Sequence, residues 1–228
     1  MKYISAILLV CLILLVSGCK QQENPVTEPT LFEDYFIRYL SPEEQLKSQA
    51  VFAIGDSVNT ITPFVPLGGA SFMGSGMEMR KISKDLIRYT QEMNTSYQAS
   101  FKFRFKNTQG TFNNYEISMS PIEDFFVKGE ISKTNGINLV INGGLLSEEE
   151  SLVFILSDAN NVAASHTTTG PTKDINYNIP PAIFKNFAPG TGKLYLVKKI
   201  LKNESLENRK IHAEIEFYSK DLDIEITE

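Results

Sequence analysis

A strict alternation of apolar and polar side chains most constrains what this chain can fold into, and it is clearest in YQASFKFRFK, residues 97–106. Three phenylalanines occupy alternate positions there, and the residues that follow them are the cations Lys102, Arg104 and Lys106. A period of two is that of a β-strand with one face in a core and the other in water. NNYEISMS, residues 113–120, repeats the pattern, and residues 107–110 between the two segments predict a hairpin turn with Gly at a positive φ.

Similar segments recur along most of the chain. Before Pro121 they are FIRYL, SQAVFAI, GMEMRKI and LIRYTQ; after it they are IEDFFVKG, GINLVING, ESLVFILS, DINYNI, GKLYLVKKI, RKIHAEIEFYS and LDIEI. Turn residues separate them, at Gly143-Gly144, residues 158–161, Gly170-Pro171 and Pro189-Gly190. Residues 158–161 also resemble part of a calcium loop, but they lack its later oxygen ligands, so we interpret them as a hairpin turn. Residues 193–218 predict one long hairpin, with Asn203-Glu204-Ser205 near its tip.

Short strands spaced roughly 8 to 12 residues apart are typical of β-sandwiches. Because the pattern restarts after Pro121, the sequence predicts an all-β fold with two antiparallel β-sandwich domains, residues 32–121 and 122–228. The spacing of their strands and turns resembles that of the immunoglobulin-like sandwich. The resemblance is one of architecture only, since the chain has no Trp and therefore lacks the Cys…Trp…Cys core of true immunoglobulin domains.

Two segments predict helical structure. Ser41-Pro42-Glu43-Glu44 has the composition of a capping box, with Ser as N-cap, Pro at the first helical position and Glu at the third. It predicts a short helix before QLKSQA. Pro180-Pro181, before AIFKNF, predicts a single helical turn.

The N-terminus has the form of an export signal. Lys2 is followed by an apolar run over residues 4–16, too short to span a bilayer comfortably, and the run ends in Val16-Ser17-Gly18-Cys19. This tetrapeptide resembles the lipobox of bacterial lipoproteins. The resemblance implies that residues 1–18 are a signal peptide, that Cys19 carries a thioether-linked diacylglycerol, and that its new amine is acylated. By the same resemblance, Lys20 rather than Asp after the cysteine favours the outer membrane, on either its periplasmic or its exterior side.

Residues 19–31 comprise this cysteine and a polar segment with two prolines, which predicts a flexible tether. The other cysteine, Cys11, lies in the signal peptide, so the body has no disulfide and must be held by its core. The chain has a net charge of −5, which argues against nucleic acid as a partner and against binding to an anionic membrane surface through basic patches. The membrane contact is therefore expected to be the lipid alone.

Gly55-Asp56-Ser57 follows an apolar run and resembles the nucleophile segment of GDS-type (SGNH) esterases and lipases. That resemblance implies Ser57 as the nucleophile and a later Asp-x-x-His as the source of the base. Ala163 stands three residues before His166, and Arg209 three before His212, so neither histidine completes the motif. An unactivated serine is a weak nucleophile. We therefore predict no catalytic residue and interpret the segment as a hairpin turn in which Gly55 supplies a positive φ.

Asp56-Ser57-Val58 also resembles the acceptor of O-glycosylation in exported proteins of some Gram-negative bacteria, which makes Ser57 a candidate glycosylation site. His212, Glu214 and Glu216 alternate on one predicted strand face. Their spacing of roughly 7 Å is wide for a single ion, so we predict a solvated face and no metal site. No cofactor is predicted.

These features favour a non-catalytic, lipid-anchored cell-envelope protein that acts in binding, adhesion or assembly. Two alternatives are a GDS-type ester hydrolase that uses Ser57 and a glycan-binding surface lipoprotein. Without Trp, sugar stacking would depend on tyrosines such as Tyr177, Tyr195 or Tyr218. The basic stripe Lys102, Arg104 and Lys106 is expected to keep a sheet face soluble, or else to meet an anionic partner. Whether the partner is a protein or a glycan is left open.

Overall fold

The computed structural model describes residues 29–57 and 60–228, and the described chain is almost entirely β-strand. The strands before Pro121 are β1 (Thr30–Leu40), β2 (Gln45–Gly55), β3 (Thr62–Pro63), β4 (Ala70–Phe72), β5 (Ser75–Gly76), β6 (Glu78–Ser83), β7 (Leu86–Asn94), β8 (Ser100–Lys106) and β9 (Phe112–Ser118). Those after it are β10 (Asp124–Val127), β11 (Ile131–Ser132), β12 (Ile137–Asn142), β13 (Glu150–Ser157), β14 (Ala163–Thr169), β15 (Asn176–Ile179), β16 (Gly190–Leu206), β17 (Arg209–Tyr218) and β18 (Leu222–Thr227). The expected all-β class is confirmed.

One large sheet runs through both halves of the chain. Its strand order is β11-β18-β16-β17-β1-β2-β7-β6, with β13 also paired to β16, β14 to β13 and β3 to β2. Two smaller sheets have the orders β5-β4-β8-β9 and β10-β12-β15. Most pairs are antiparallel, but β1 runs parallel to β17, from Leu31 opposite Arg209 to Leu40 opposite Tyr218. Because this pair joins strands from both sides of Pro121, the division into two immunoglobulin-like domains stays a prediction.

A buried ion pair fastens the parallel strands together. The Glu33 side chain on β1 is fully buried, and Arg209 on β17 donates to its two oxygens at 2.5 and 2.8 Å. The Tyr35 hydroxyl donates to the same carboxylate at 2.7 Å. The hydrogen bond from Arg209 to Glu33 raises the pKa of Arg209, so the cation persists at any ordinary pH. The pair links the first described strand to one that lies almost two hundred residues further along the chain.

The β5-β4-β8-β9 sheet covers the inner face of β1 and β2. The three alternating phenylalanines of β8, Phe101, Phe103 and Phe105, are buried as the sequence pattern predicts. The Phe103 ring centroid lies 4.4 Å from that of Tyr35, and the Phe105 centroid lies 4.3 Å from that of Phe52. Each buried phenylalanine stabilises the fold by about 1.5–3 kcal/mol relative to an exposed one.

The β10-β12-β15 sheet covers the part of the large sheet formed by β13 and β16. Phe154 on β13 packs against Tyr177 on β15, with ring centroids 5.6 Å apart. Phe217 on β17 packs in the region covered by the β5-β4-β8-β9 sheet, where its ring centroid lies 5.5 Å from that of Tyr39 and 5.1 Å from that of Tyr97. The buried residues of both regions belong to a single cluster, against which the partly buried Tyr97 packs. The large sheet therefore has two smaller sheets side by side on its inner face.

The short helix predicted at residues 41–44 is wrong. These residues form a turn in which the Glu44 amide bonds the Ser41 carbonyl at 3.4 Å and Glu44 has a φ of 50°. QLKSQA belongs to β2, whose residue Gln45 pairs with Leu40 of β1. Leu46, at its start, is buried. Capping residues are a weak local preference, and strand pairing with core burial overrides it here.

The other local predictions agree with the structure. Pro181–Phe184 is a 3-10 turn. In the turn at residues 107–110, Gly110 has a φ of 78°, and its amide bonds the Asn107 carbonyl at 3.0 Å. β16 and β17 form the long hairpin, although its tip lies between Leu206 and Arg209, beyond the predicted tip residues.

A buried lysine ties the loop after β12 to the large sheet. Lys198 on β16 is only 1% exposed, and its Nζ donates to the carbonyl oxygens of Gly143 and Leu145, each at 3.1 Å. Nζ also lies 3.5 Å from Glu150 Oε1. Burial lowers the pKa of Lys198, and the charge of Glu150 partly offsets that effect. The ammonium thus holds two strands and a loop in place by satisfying three acceptors at once.

We expect Lys198→Met to lower the free energy of unfolding by about 3–5 kcal/mol, because it leaves a buried carboxylate without its cation. Urea unfolding followed by circular dichroism measures this change. Lys102→Met is the matched control: Lys102 lies 3.4 Å from Glu116, but its side chain is 67% exposed. The control should cost no more than about 1 kcal/mol. Equal losses in the two variants would contradict the structural role of Lys198.

The turn between β13 and β14 depends on a carboxylate. Asp158 Oδ1 accepts the amides of Asn160 and Val162, each at 2.9 Å, and Oδ2 accepts that of Ala188 at 2.7 Å. The Ala188 bond, followed by the bonds from Val162 and Asn160, holds the pKa of Asp158 below its ordinary value. This arrangement supports the hairpin-turn interpretation of residues 158–161.

The contribution of Asp158 to stability should depend on pH. A carboxylate whose pKa is lowered by folding stabilises the folded state above its unfolded pKa, and that stabilisation is lost as the pH falls through the folded pKa. Asp158→Asn should therefore be less stable than wild type at pH 7, and the gap should close once the pH falls below the ordinary value of 3.8. Urea unfolding from pH 7 to pH 2 measures the gap, and Asp223→Asn, at an exposed position, controls for loss of a charge. A gap that did not change with pH would refute this role.

Candidate binding site

Ser57 lies in the turn that joins β2 to β3, where it is hydrogen-bonded to Thr60. Its hydroxyl is 3.2 Å from Thr60 Oγ1, its amide donates to the same atom at 3.1 Å, and its carbonyl accepts the Thr60 amide at 3.0 Å. The side chain is exposed and so accessible to a modifying enzyme. Val58, the third residue of the glycosylation pattern, lies outside the described residues together with Asn59. Modification of Ser57 therefore stays a prediction.

Gly55 is required in this turn for a different reason from the one its sequence suggests. Its φ is not positive, unlike that of other turn glycines such as Gly110. A Cβ at Gly55 would instead stand 2.8 Å from the Thr60 carbonyl oxygen, too close for any other residue. The prediction of a hairpin turn agrees with the antiparallel pairing of β2 with β3, but the prediction of a positive φ is wrong.

Neither histidine hydrogen-bonds Ser57 within the described residues. His212 lies on β17, and its Nδ1 is 2.9 Å from Asn203 Oδ1. His166 lies on β14, with its ring centroid 5.9 Å from that of Phe154. The described chain also lacks the parallel sheet flanked by helices on which the GDS-type esterase fold depends. Within the described residues, neither histidine makes the hydrogen bond to the Ser57 hydroxyl through which a general base would activate it.

The carboxylates near His212 are occupied by cations. Glu214 and Glu216 lie 2.7 and 2.9 Å from Lys199 Nζ, and Arg38 donates to Glu216 at 2.7 Å. Burial alone would raise the pKa of Glu216, but Lys199 and Arg38 together hold it below its ordinary value. Within the described residues, no group of three or more His, Cys, Asp or Glu side chains is placed to hold a metal ion.

A groove of about 480 Å³ opens on the outer face of the large sheet, beside the Ser57 turn. Its apolar residues are Phe32, Val51, Ala53, Ile61 and Ile211, and its polar residues include Asp34, Asn203, Lys210 and His212. Asp34 faces His212 across the parallel strands. Burial raises the pKa of Asp34, and the charge of His212 partly offsets that effect. The groove can take up an apolar group, but its chemistry does not single out one class of ligand.

The tyrosines and cations suggested by the sequence do not form an open binding platform. Tyr177 is a core residue, 6% exposed, whose hydroxyl donates to the Gly144 carbonyl. Tyr195 and Tyr218 are half-buried. On the basic stripe, Lys102 pairs with Glu116, and the Arg104 guanidinium lies 3.6 Å from the centre of the Phe112 ring. The stripe is thus partly neutralised and partly packed within its own sheet.

A set of asparagines covers the outer face of the β10-β12-β15 sheet, and we call it the asparagine face. It comprises Asp124 and Phe126 on β10, Asn138, Val140 and Asn142 on β12, and Asn176 and Asn178 on β15. The strand register places these side chains in rows on one face: Asp124 with Asn142, Phe126 with Val140 and Asn176, and Asn138 with Asn178.

The asparagine face is polar, open and held in place by its own hydrogen bonds. The Asn178 amide donates to Asn138 Oδ1 at 2.9 Å, and the Asn142 amide donates to Asp124 Oδ1. Phe126 is 50% exposed in the middle row. A hollow of about 500 Å³ is lined by Asn138, Asn176 and Asn178 together with Lys128. The arrangement places fixed hydrogen-bonding groups around one exposed aromatic ring.

Sequence reasoning identified these strands but not this face. The signal was present in GINLVING and DINYNI, where nearly every residue between the core positions is Asn rather than the usual mixture of charged residues. Which strands share a face, and which asparagines stand opposite one another, follows only from the pairing register.

Comparison with known proteins assigns the chain to no family. No protein-family model matches the chain, and the search of curated proteins returned no match. Across residues 29–57 and 60–228, no helix has the length and apolar character needed to cross a bilayer.

Proposed function

We propose that this protein is a non-catalytic, lipid-anchored protein of the bacterial cell envelope that binds its partner through the asparagine face. The N-terminal pattern ending in Cys19 supports the anchor, and the polar residues 20–29 support a tether. Both lie largely outside the described residues. Thr30 and Leu31, the last two residues of the predicted tether, instead belong to β1. The binding role rests on the asparagine face, because this face combines an exposed aromatic ring with an array of hydrogen-bonding groups that are mostly uncharged amides.

The chemistry of the face favours a glycan as the partner. Each asparagine offers two N–H donors and one carbonyl acceptor, so it can bond a sugar hydroxyl in either direction. Phe126 supplies a flat apolar surface for the C–H face of a sugar ring, and Asp124 adds an acceptor. Neighbouring strands hold opposing side chains roughly 5 Å apart, which allows adjacent hydroxyls to be bonded together. This ring takes the role that the sequence suggested for tyrosines.

The enzyme alternative has weaker support. It requires a base near Ser57, whereas the Ser57 hydroxyl is within bonding distance of Thr60 and His212 is bonded to Asn203. It also requires a parallel sheet flanked by helices, whereas the sheets of the described chain are mostly antiparallel and have no flanking helices. Binding without catalysis therefore agrees best with the arrangement of these groups.

We expect the mature protein to bind a subset of polysaccharides on an array of bacterial and host glycans. Phe126→Ala and Asn138→Ala should each weaken that binding by about 3- to 10-fold, the effect of one lost stacking or hydrogen-bonding contact. Phe112→Ala and Asn114→Ala are matched controls, since both are exposed residues of β9 on the other small sheet. Affinity electrophoresis in gels that contain the selected polysaccharide measures the change. Equal weakening by the controls, or no glycan binding at all, would refute the glycan assignment.

The lipid anchor is tested separately. In a bacterial host fed an alkyne-tagged fatty acid, the wild-type protein should incorporate the label and enter the detergent phase on Triton X-114 partitioning. Cys19→Ser should lose both properties, because the thioether needs this sulfur. Cys11→Ser, at the other cysteine of the chain, should keep both. Labelling that survived Cys19→Ser would rule out the lipobox interpretation.

A further inference from the structure

β14 is an edge strand of the large sheet, with the Pro181–Phe184 turn close to it. Its residues Ala163–Thr169 pair with β13, and they pair with no other strand in the described part of the chain. At one end the Gly170 amide bonds the Glu150 carbonyl at 2.9 Å, and at the other the Asp158 amide bonds the Val162 carbonyl at 3.1 Å. In an antiparallel pair the two backbone groups of a residue point to the same side, and the side alternates along the strand. The even-numbered residues therefore face β13.

The odd-numbered residues of β14 consequently direct their N–H and C=O groups away from the sheet. These residues are Ala163, Ser165, Thr167 and Thr169, and all four are exposed. No backbone hydrogen bond within the described residues takes up these groups. Unpaired strand groups of this kind are a template for the addition of another strand.

The edge also lacks the protection found at the other long edges. β6 carries Arg80 and Lys81 and has a register shift near its end, and β9 carries Glu116. Charges and bulges of this sort prevent edge-to-edge pairing. β14 has no Asp, Glu, Lys, Arg or Pro among its seven residues, and three of them are the β-branched Thr. The strand therefore carries no Asp, Glu, Lys or Arg side chain that would repel a copy of itself.

We infer that β14 pairs with β14 of a second copy of this chain, antiparallel and about a two-fold axis through His166. In that register Ser165 faces Thr167 of the second copy, and Ala163 faces Thr169. All four are residues with outward backbone groups, so every one exchanges hydrogen bonds with its partner. If the two-fold axis passed through an odd-numbered residue of β14 instead, the outward backbone groups would also match. Fewer residues of the two strands would then overlap. The two-fold symmetry is that of the commonest dimers, and it joins two large sheets into one continuous sheet.

Cysteine cross-linking tests both the partner and the register. Residues on the axis form a non-hydrogen-bonded pair with Cα atoms about 4.5 Å apart, within the range that a disulfide spans. His166→Cys should therefore give a disulfide-linked dimer under mild oxidation of the mature protein. Thr168→Cys is the matched control on the same face of the same strand. Its two copies would lie four residues apart along the strands, roughly 13 Å, and should not cross-link.

Blocking the edge gives an independent measurement. Thr167→Lys should shift the protein from dimer to monomer in sedimentation velocity, while its far-ultraviolet circular dichroism stays that of the folded protein, because the Thr167 backbone groups make no hydrogen bond to β13. Thr167→Pro should act in the same way, since proline is tolerated where the missing N–H faced outward. A wild-type protein that is monomeric over the whole soluble range would overturn the inference, as would equal cross-linking of both cysteine variants. An edge that instead takes up a strand of a different protein, with no self-association, would also overturn it.

Discussion

The parallel pairing of β1 with β17 is the constraint on which the rest of the structure depends. It brings the first described strand beside one of the last, and it makes β1 a central strand of the large sheet. The pair is fastened by Glu33 and Arg209, whose two hydrogen bonds are shielded from water. Removing one partner of such a pair costs about 3–5 kcal/mol, because a buried charge is left alone. Without this contact, β1 and β17 would not join the strands before Pro121 to those after it.

The large sheet in turn places both smaller sheets. Phe103 and Phe105 pack the first against Tyr35 and Phe52, and Tyr177 packs the second against Phe154. Each smaller sheet has one face in the core, so its other face is exposed to solvent. The asparagine face is the outer surface of the second, and its geometry is therefore set by core residues on the opposite side of the same strands. Lys198 adds to this rigidity by holding the loop after β12.

Some of the proposed binding surface was accessible to sequence reasoning and some was not. The pattern in GINLVING and DINYNI places Asn138 and Asn178 on polar faces, because side chains alternate along any strand. That they stand opposite each other depends on pairing between segments that are forty residues apart. Tyr177 illustrates the reverse case: the sequence offered it as a stacking residue, yet its position in the alternation places it in the core. Its neighbours on both sides are the exposed asparagines.

Local sequence preferences predicted the structure poorly at two turns, where contacts with other parts of the chain opposed them. Ser41-Pro42-Glu43-Glu44 has the residues of a helix start, but the pairing of Leu40 with Gln45 leaves room only for a turn. Gly55 looks like a residue chosen for its φ, and the structure shows that it is needed for space instead. In both places a contact from outside the segment outweighs a preference inside it.

The amino-acid sequence by itself determined that this chain is built of strands, and which side chains of each strand face the core. Both follow from a period of two, which any extended segment displays without reference to its neighbours. Only the tertiary structure decided which strands pair, that β1 lies parallel to β17, that one sheet serves two packed regions, and that β14 is left at an edge of the large sheet. Those outcomes depend on contacts between distant residues, and a hydrophobic pattern that is almost the same in every strand cannot distinguish one partner from another.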